Sequence, residues 1–213
     1  MYVAFLKPEL KKEEITMAKI GLFFGTQTGN TQTEAEMIQK EFGGESVVDL
    51  NDISKSEPSD FNEYSYIIIG CPTWNIGELQ SDWEDFYDEL DNINFSGKKV
   101  AYFGAGDQVG YPDTFQDAIG ILEEKISEQG GETIGYWSTE GYEFNESKAI
   151  RDGKFVGLAL DEDNQSDLTE ERIKTWVAQL KQEFDVNDSI NSPVIARETH
   201  AEERLQTDLN EDL

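Results

Sequence analysis

The sequence predicts an α/β domain built on a doubly wound, five-stranded parallel sheet, and three observations support that prediction. Apolar runs alternate along the chain with stretches whose apolar residues recur at helix spacing, the pattern of strands joined by crossover helices. One run, Ile67-Ile68-Ile69, shows no polar alternation, as expected of a central strand covered on both faces. The first run opens through a loop rich in Thr and Gly straight into a helical pattern, a strand–loop–helix unit that returns right-handed to the sheet.

Ile20, Leu22, Phe23 and Phe24 form the first strand, bounded by Gly25. Glu34, Ala35, Met37, Ile38 and Phe42 follow at helix spacing, with Asn30 or Thr31 able to cap the first turn. Ser46 to Leu50 reads as the second strand, Asn51 to Glu63 as a polar loop carrying Pro58, and Tyr64 to Cys71 as the third strand. Trp83, Phe86, Tyr87 and Leu90 make the inner stripe of a helix from Ser81 to Asp91. Lys98 to Gly104 is the fourth strand, and Phe115, Ala118, Ile119, Leu122 and Ile126 mark a helix ended by Gly130-Gly131. A fifth strand begins at Glu132 to Trp137, is interrupted by a polar insertion from Ser138 to Lys154, and resumes from Phe155 to Leu160. The last helix, Thr169 to Phe184, turns Ile173, Trp176, Val177 and Leu180 inward, with Glu170 and Glu171 complementing its dipole.

This pattern places one domain at Ala18 to Phe184, between a leader of residues 1–17 and an acidic tail, Asp185 to Leu213, that reads as disordered. Tyr2 to Leu6 is too short for a secretory core, and Met17 would itself make a sensible start. In the tail, Thr199 to Glu202 resembles a capping box, and Leu205, Leu209 and Leu213 share a face of a short helix.

With 17 Lys plus Arg against 45 Asp plus Glu, the net charge is −28. That balance disfavours nucleic acid and anionic membrane and favours a basic partner found by electrostatic steering. One cysteine, Cys71, and one histidine, His200, leave no disulfide, no His/Cys metal cluster and no Ser-His-Asp or Cys-His set. A reducing, cytoplasmic setting fits, with Cys71 as a small buried hydrophobe.

The loop Thr26-Gln27-Thr28-Gly29-Asn30-Thr31 brings hydroxyls, backbone N–H groups and the positive end of a helix dipole to one point, where a phosphate is expected. It has neither the Lys of a Walker loop nor the three spaced glycines of a dinucleotide loop, so the anion is held by neutral donors. Two further loops leave the carboxyl ends of strands, and each bears a large aromatic, Trp74 and Tyr111. Ligands in such sheets bind beyond those ends, so the aromatics are expected to enclose a flat ring whose phosphate tail reaches the first loop.

The runs Gly-Thr-Gln-Thr-Gly-Asn-Thr at Gly25, Cys-Pro-Thr-Trp-Asn-Ile-Gly-Glu-Leu-Gln at Cys71, Phe-Gly-Ala-Gly-Asp-Gln at Phe103 and Gly-Tyr-Trp-Ser-Thr at Gly135 resemble those of long-chain flavodoxins, closest to the cyanobacterial type. The resemblance implies a flavodoxin-like strand order 2-1-3-4-5, with the insertion in strand five that marks the long-chain group. It implies noncovalent FMN, its phosphate on Thr26 to Thr31 and its ring between Trp74 and Tyr111. Asn75 would turn its carbonyl toward flavin N5, with Ile76 and Gly77 in the same turn. Ala105, Gly106 and Asp107 would face the pyrimidine edge, and Thr73 and Asp163 the ribityl chain. Ala105 and Thr114 stand where relatives often have Thr and Asn, which leaves main-chain contacts at those points.

The same resemblance implies a carrier of single electrons, expected to be a monomer and, on the charge argument below, to cycle mainly between semiquinone and hydroquinone. Its partners would be photosystem I and ferredoxin-NADP reductase, when iron is scarce and ferredoxin cannot be made. The charge points to a low potential independently, since one net charge at ~10 Å and an effective dielectric of ~20 is worth about 1.7 kcal/mol, or roughly 70 mV. A flavin-dependent quinone or NAD(P)H reductase shares the fold but needs a substrate pocket that no motif supplies. A phosphoacceptor signalling domain needs an Asp at the end of the third strand, where this chain has Gly70-Cys71.

Overall fold

A computed structural model describes residues 20–184. The leader, the capping box at Thr199 and the leucine face of the tail lie outside the described residues. Strands β1 (Ile20–Phe24), β2 (Val48–Asp52), β3 (Tyr66–Gly70), β4 (Lys99–Ala105) and β5 (Glu132–Ile134) pair in parallel in the order β2-β1-β3-β4-β5. Ile20 stands opposite both Val48 and Tyr66, and Gly70 opposite Phe103. Every residue of β1 is buried, because helices cover both faces. Helices α1 (Asn30–Phe42) and α4 (Thr169–Glu183) pack over Leu22, Phe24, Ile68 and Phe103. Helices α2 (Ser81–Phe86) and α3 (Asp117–Glu128) cover Phe23, Ile67, Ile69 and Tyr102.

The interrupted fifth strand is real, with boundaries that differ from the sequence expectation. β5 stops at Ile134, and β9 (Leu158–Leu160) takes up the same edge of β4 further along, Phe103 opposite Leu158. Between them, β6 (Trp137–Ser138), β7 (Ile150–Arg151) and β8 (Lys154–Phe155) form a small antiparallel sheet, so Trp137 and Phe155 belong to the insertion. Gly135, at φ 77°, makes the break, and the Trp176 indole donates to its carbonyl at 2.8 Å.

Other boundaries shift too: the third strand starts at Tyr66 and not Tyr64, and the helix after the fourth strand starts at Asp117, two residues past Phe115. β2 begins at Val48, two residues after Ser46, since Val47 N–H bonds back to Gly44 in the turn closing α1. The segment 51–63 contains the end of β2 and two 3-10 turns, Ile53–Lys55 and Pro58–Glu63, with Phe61 stacked on Phe23 at 3.7 Å. The helix at Ser81 tightens into a 3-10 turn, Tyr87–Asn92, while Trp83, Phe86 and Leu90 stay buried as the stripe requires. Among the described residues no helix is long and apolar enough to cross a membrane.

Candidate functional site

The carboxyl ends of β1, β3, β4 and β9 are bonded together beyond the sheet itself. Gly25 N–H donates to Gly70 O, Cys71 N–H to Phe103 O, Thr73 N–H to Ala105 O and Gly106 N–H to Leu160 O, at 2.9–3.1 Å. These bonds bring the loops that follow β1, β3 and β4 to one side, around a cleft of about 400 Å³. Thr28, Asn30, Thr31, Thr73, Trp74, Asn75, Ala105, Gly106, Asp107, Tyr111 and Asp163 line it, all among the expected residues. Thr26, Gln27, Gly29, Ile76 and Gly77 do not. Thr26 instead accepts the Gly29 N–H at 3.1 Å and shapes the loop. Pro72 and Glu162 also line the cleft without any signal in the sequence reading, and Phe115, expected only as a core residue of a helix, and Thr114 lie there too.

The start of α1 suits an anion for a reason the sequence did not expose. Neither Asn30 nor Thr31 caps it: the cap position is Gly29 at φ 92°, where a side chain is disfavoured. No side-chain oxygen accepts from the first turn, and no acidic residue lies in it. The N–H groups of that turn are thus left able to meet an anion.

The Trp74 loop is a tight turn closed by paired bonds, Trp74 N–H to Glu78 O at 2.9 Å and Glu78 N–H to Trp74 O at 2.8 Å. Asn75 and Gly77 both adopt left-handed backbone, φ 47° and 82°, and the Asn75 amide donates to Glu78 at 2.6 Å. A Cβ at Gly77 would meet the Asp117 carboxylate at 2.6 Å, so glycine is needed there for room as well as for its φ. The aromatic of this loop is not at its tip. Ile76 is, 79% exposed, while Trp74 is half-buried with an indole N–H that has no partner.

Tyr111 is 51% exposed on a loop organised by Asp107. The Asp107 carboxylate accepts from Gly110 N–H at 2.7 Å, Val109 N–H at 3.0 Å and the Asn164 amide at 2.9 Å. These bonds, that from Gly110 foremost, hold its pKa below the ordinary carboxylate value. Asp161, fully buried, accepts from the Gln108 backbone and side chain, and Gln108 in turn accepts from Glu143 N–H at 2.6 Å in the insertion. Asp161, Gln108 and Asn164 thus position the loop, and sequence reasoning missed all three.

Cys71 is buried, and burial pushes its thiol up to about 12, which leaves it inert as expected. Glu34 differs from its helix-face neighbours: it is 2% exposed, neither oxygen has a hydrogen-bond partner, and burial raises it to about 8, with Glu162 adding to the shift.

A cleft of this size at the carboxyl edge of a parallel sheet, with an aromatic on each of two loops and an anion-ready helix start, has the room and chemistry for a phosphorylated flat-ring cofactor. The flavodoxin family pattern matches residues 22–176. The chain is 74% identical to the flavodoxin of Synechococcus elongatus over 168 residues, 79% of this chain and 99% of that protein. It is 72% identical to the flavodoxin of Synechocystis sp., covering 78% and 97%. Among solved structures, the Fusobacterium nucleatum flavodoxin bound to flavin mononucleotide superposes with a TM-score of 0.75 at 32% identity, covering 78% of this chain and 99% of that one. The chain belongs to the flavodoxin family, electron-transfer proteins rather than enzymes.

Proposed function

We propose that this chain binds FMN noncovalently in the strand-end cleft and carries single electrons at low potential from photosystem I to ferredoxin-NADP reductase, replacing ferredoxin when iron is scarce. The supporting observation is the lining itself: the loop aromatics Trp74 and Tyr111, with Phe115 beside them, neutral donors and three carboxylates, Asp107, Glu162 and Asp163, with no Lys or Arg among them. Bound FMN supplies the one-electron chemistry. The protein holds the phosphate in the Thr26 to Thr31 loop, through the Thr28 and Thr31 hydroxyls and the backbone N–H groups that Thr26 helps to arrange, orients the ribityl chain with Thr73 and Asp163, and covers the two ring faces. Ala105, Gly106 and Asp107 meet the polar edge. Asn75 and Gly77, both left-handed, flank Ile76 in a turn able to re-aim the Asn75 carbonyl.

The uncompensated phosphate and the nearby carboxylates both disfavour adding negative charge to the ring, and so lower the potential at which the last electron is accepted. A monomer of net charge −28 docks weakly and briefly on a basic surface, as a shuttle must. The second-order rate of electron transfer to ferredoxin-NADP reductase is therefore expected to fall several-fold as ionic strength rises from roughly 20 to 300 mM. A rate unaffected by salt in stopped-flow measurements would remove acidic docking from this account.

A further inference from the structure

Glu34 lies on α1 one turn beyond Thr31, three residues on, where side chains share a helix face within about 5–6 Å. Both are buried, at 2% and 1% exposure, and Thr31 lines the cleft while Glu34 does not. An unpartnered buried carboxyl has no structural reason to be there, since an apolar residue would pack without the penalty. The chain thus keeps an acid at the foot of its own anion-binding turn.

The groups around it leave it without a cation. Across from it, Glu162 reaches the cleft from the loop after β9, and its carboxylate accepts from the Thr169 hydroxyl. On α4, Lys181 donates to the Glu41 carbonyl at the far end of α1, and Arg172 lies over the Tyr142 ring with a bond to Gln165. Glu170, Glu171 and Lys174 are exposed, and Glu183 bonds Gly135 N–H. On β2, Asp49 meets the Tyr64 hydroxyl and Asp52 meets Lys55. On β4, Lys99 donates to the Glu183 carbonyl, Tyr102 belongs to the core on the other sheet face, and β1 carries no titratable side chain. On α1 itself, Glu36 and Lys40 are exposed and Glu41 is half-buried near the other end. The negative charges that bear on Glu34 are Glu162 and whatever anion occupies the turn above.

We propose that Glu34 is a proton-binding site coupled to the phosphate turn, so that seating the flavin phosphate draws a proton from solvent onto the Glu34 carboxyl. The proposal rests on the placement of the FMN phosphate given above. The bound dianion disfavours a second negative charge one turn below and raises proton affinity at Glu34. With the free carboxyl titrating near pH 8, binding takes up a fraction of a proton there, and affinity for FMN falls as pH rises through that range.

The test is calorimetric titration of the full-length, flavin-stripped chain with FMN and with riboflavin, in buffers of different ionisation enthalpy, for the wild type and Glu34→Gln. Expected for the wild type are uptake of roughly half a proton per FMN at pH 8 and affinity roughly three- to tenfold weaker at pH 9 than at pH 7. Glu34→Gln should show neither, and riboflavin, which lacks the phosphate, should bind the wild type without proton uptake. Equal uptake in wild type and Glu34→Gln, or equal uptake with riboflavin, overturns the coupling and leaves the FMN site standing. Failure of both proteins to bind FMN at any pH overturns the site and the coupling together.

Discussion

Replacing Trp74 by alanine is expected to weaken FMN binding by roughly ten- to hundredfold, and Tyr111→Ala by a similar factor. Each side chain lines the cleft from a loop that turn hydrogen bonds already hold in place, Trp74 through Glu78 and Tyr111 through Asp107, so little ordering entropy is needed on binding. Stacking of the aromatic on a planar ligand contributes about 0.5–1.5 kcal/mol beyond the area it buries, and loss of that area adds a comparable amount. Trp74 is the more enclosed of the two, and the main-chain bonds of its turn to Glu78 survive the substitution, so its loss removes ring contact without unfolding the loop. Tyr111 is half-exposed, and its loss admits water to the other face. Fluorescence titration of the stripped proteins with FMN measures both. Unchanged affinity in the double variant would mean that the ring lies elsewhere.

Replacing Glu34 by leucine is expected to stabilise the flavin-free protein at pH 8 by on the order of 3 kcal/mol. Burial raises the folded-state pKa from 4.5 to about 8. Below pH 4.5 the carboxyl is protonated in both states and imposes no ionisation penalty. Between the two values the unfolded chain ionises while the folded one stays protonated, so stability is lost with rising pH at up to about 1.4 kcal/mol per unit. Above about pH 8 the penalty is constant. The leucine variant is thus expected to melt roughly 6–12 °C higher at pH 8, at about 2–4 °C per kcal/mol for a domain of this size, with the gap narrowing toward pH 5. Calorimetry at the two pH values decides it, and a gap that does not widen with pH contradicts a buried neutral acid.

The sheet was legible because its signals are local. The all-apolar β1, the Ile67–Ile69 run and the Gly-rich ends of the helices each state their environment in a few residues, and the cleft follows from where parallel strands end. Boundaries at β2 and β5 were less legible, since they depend on the turn bond between Val47 and Gly44 and on the left-handed Gly135. The supports of the Tyr111 loop could not be read at all. Gln108 and Asp161 lie 53 residues apart, and nothing in either stretch names the other as its partner. Glu34 falls between these cases: helix periodicity places it on the inner face, but only the packed structure shows that no cation meets it there.

The measurement that tests the whole account most directly is a stepwise reductive titration of the purified full-length chain reconstituted with FMN, followed by absorbance. Tight one-to-one uptake of FMN and two well-separated one-electron steps, the second at low potential, are the predicted result. Failure to retain FMN, or a single two-electron step, would contradict it.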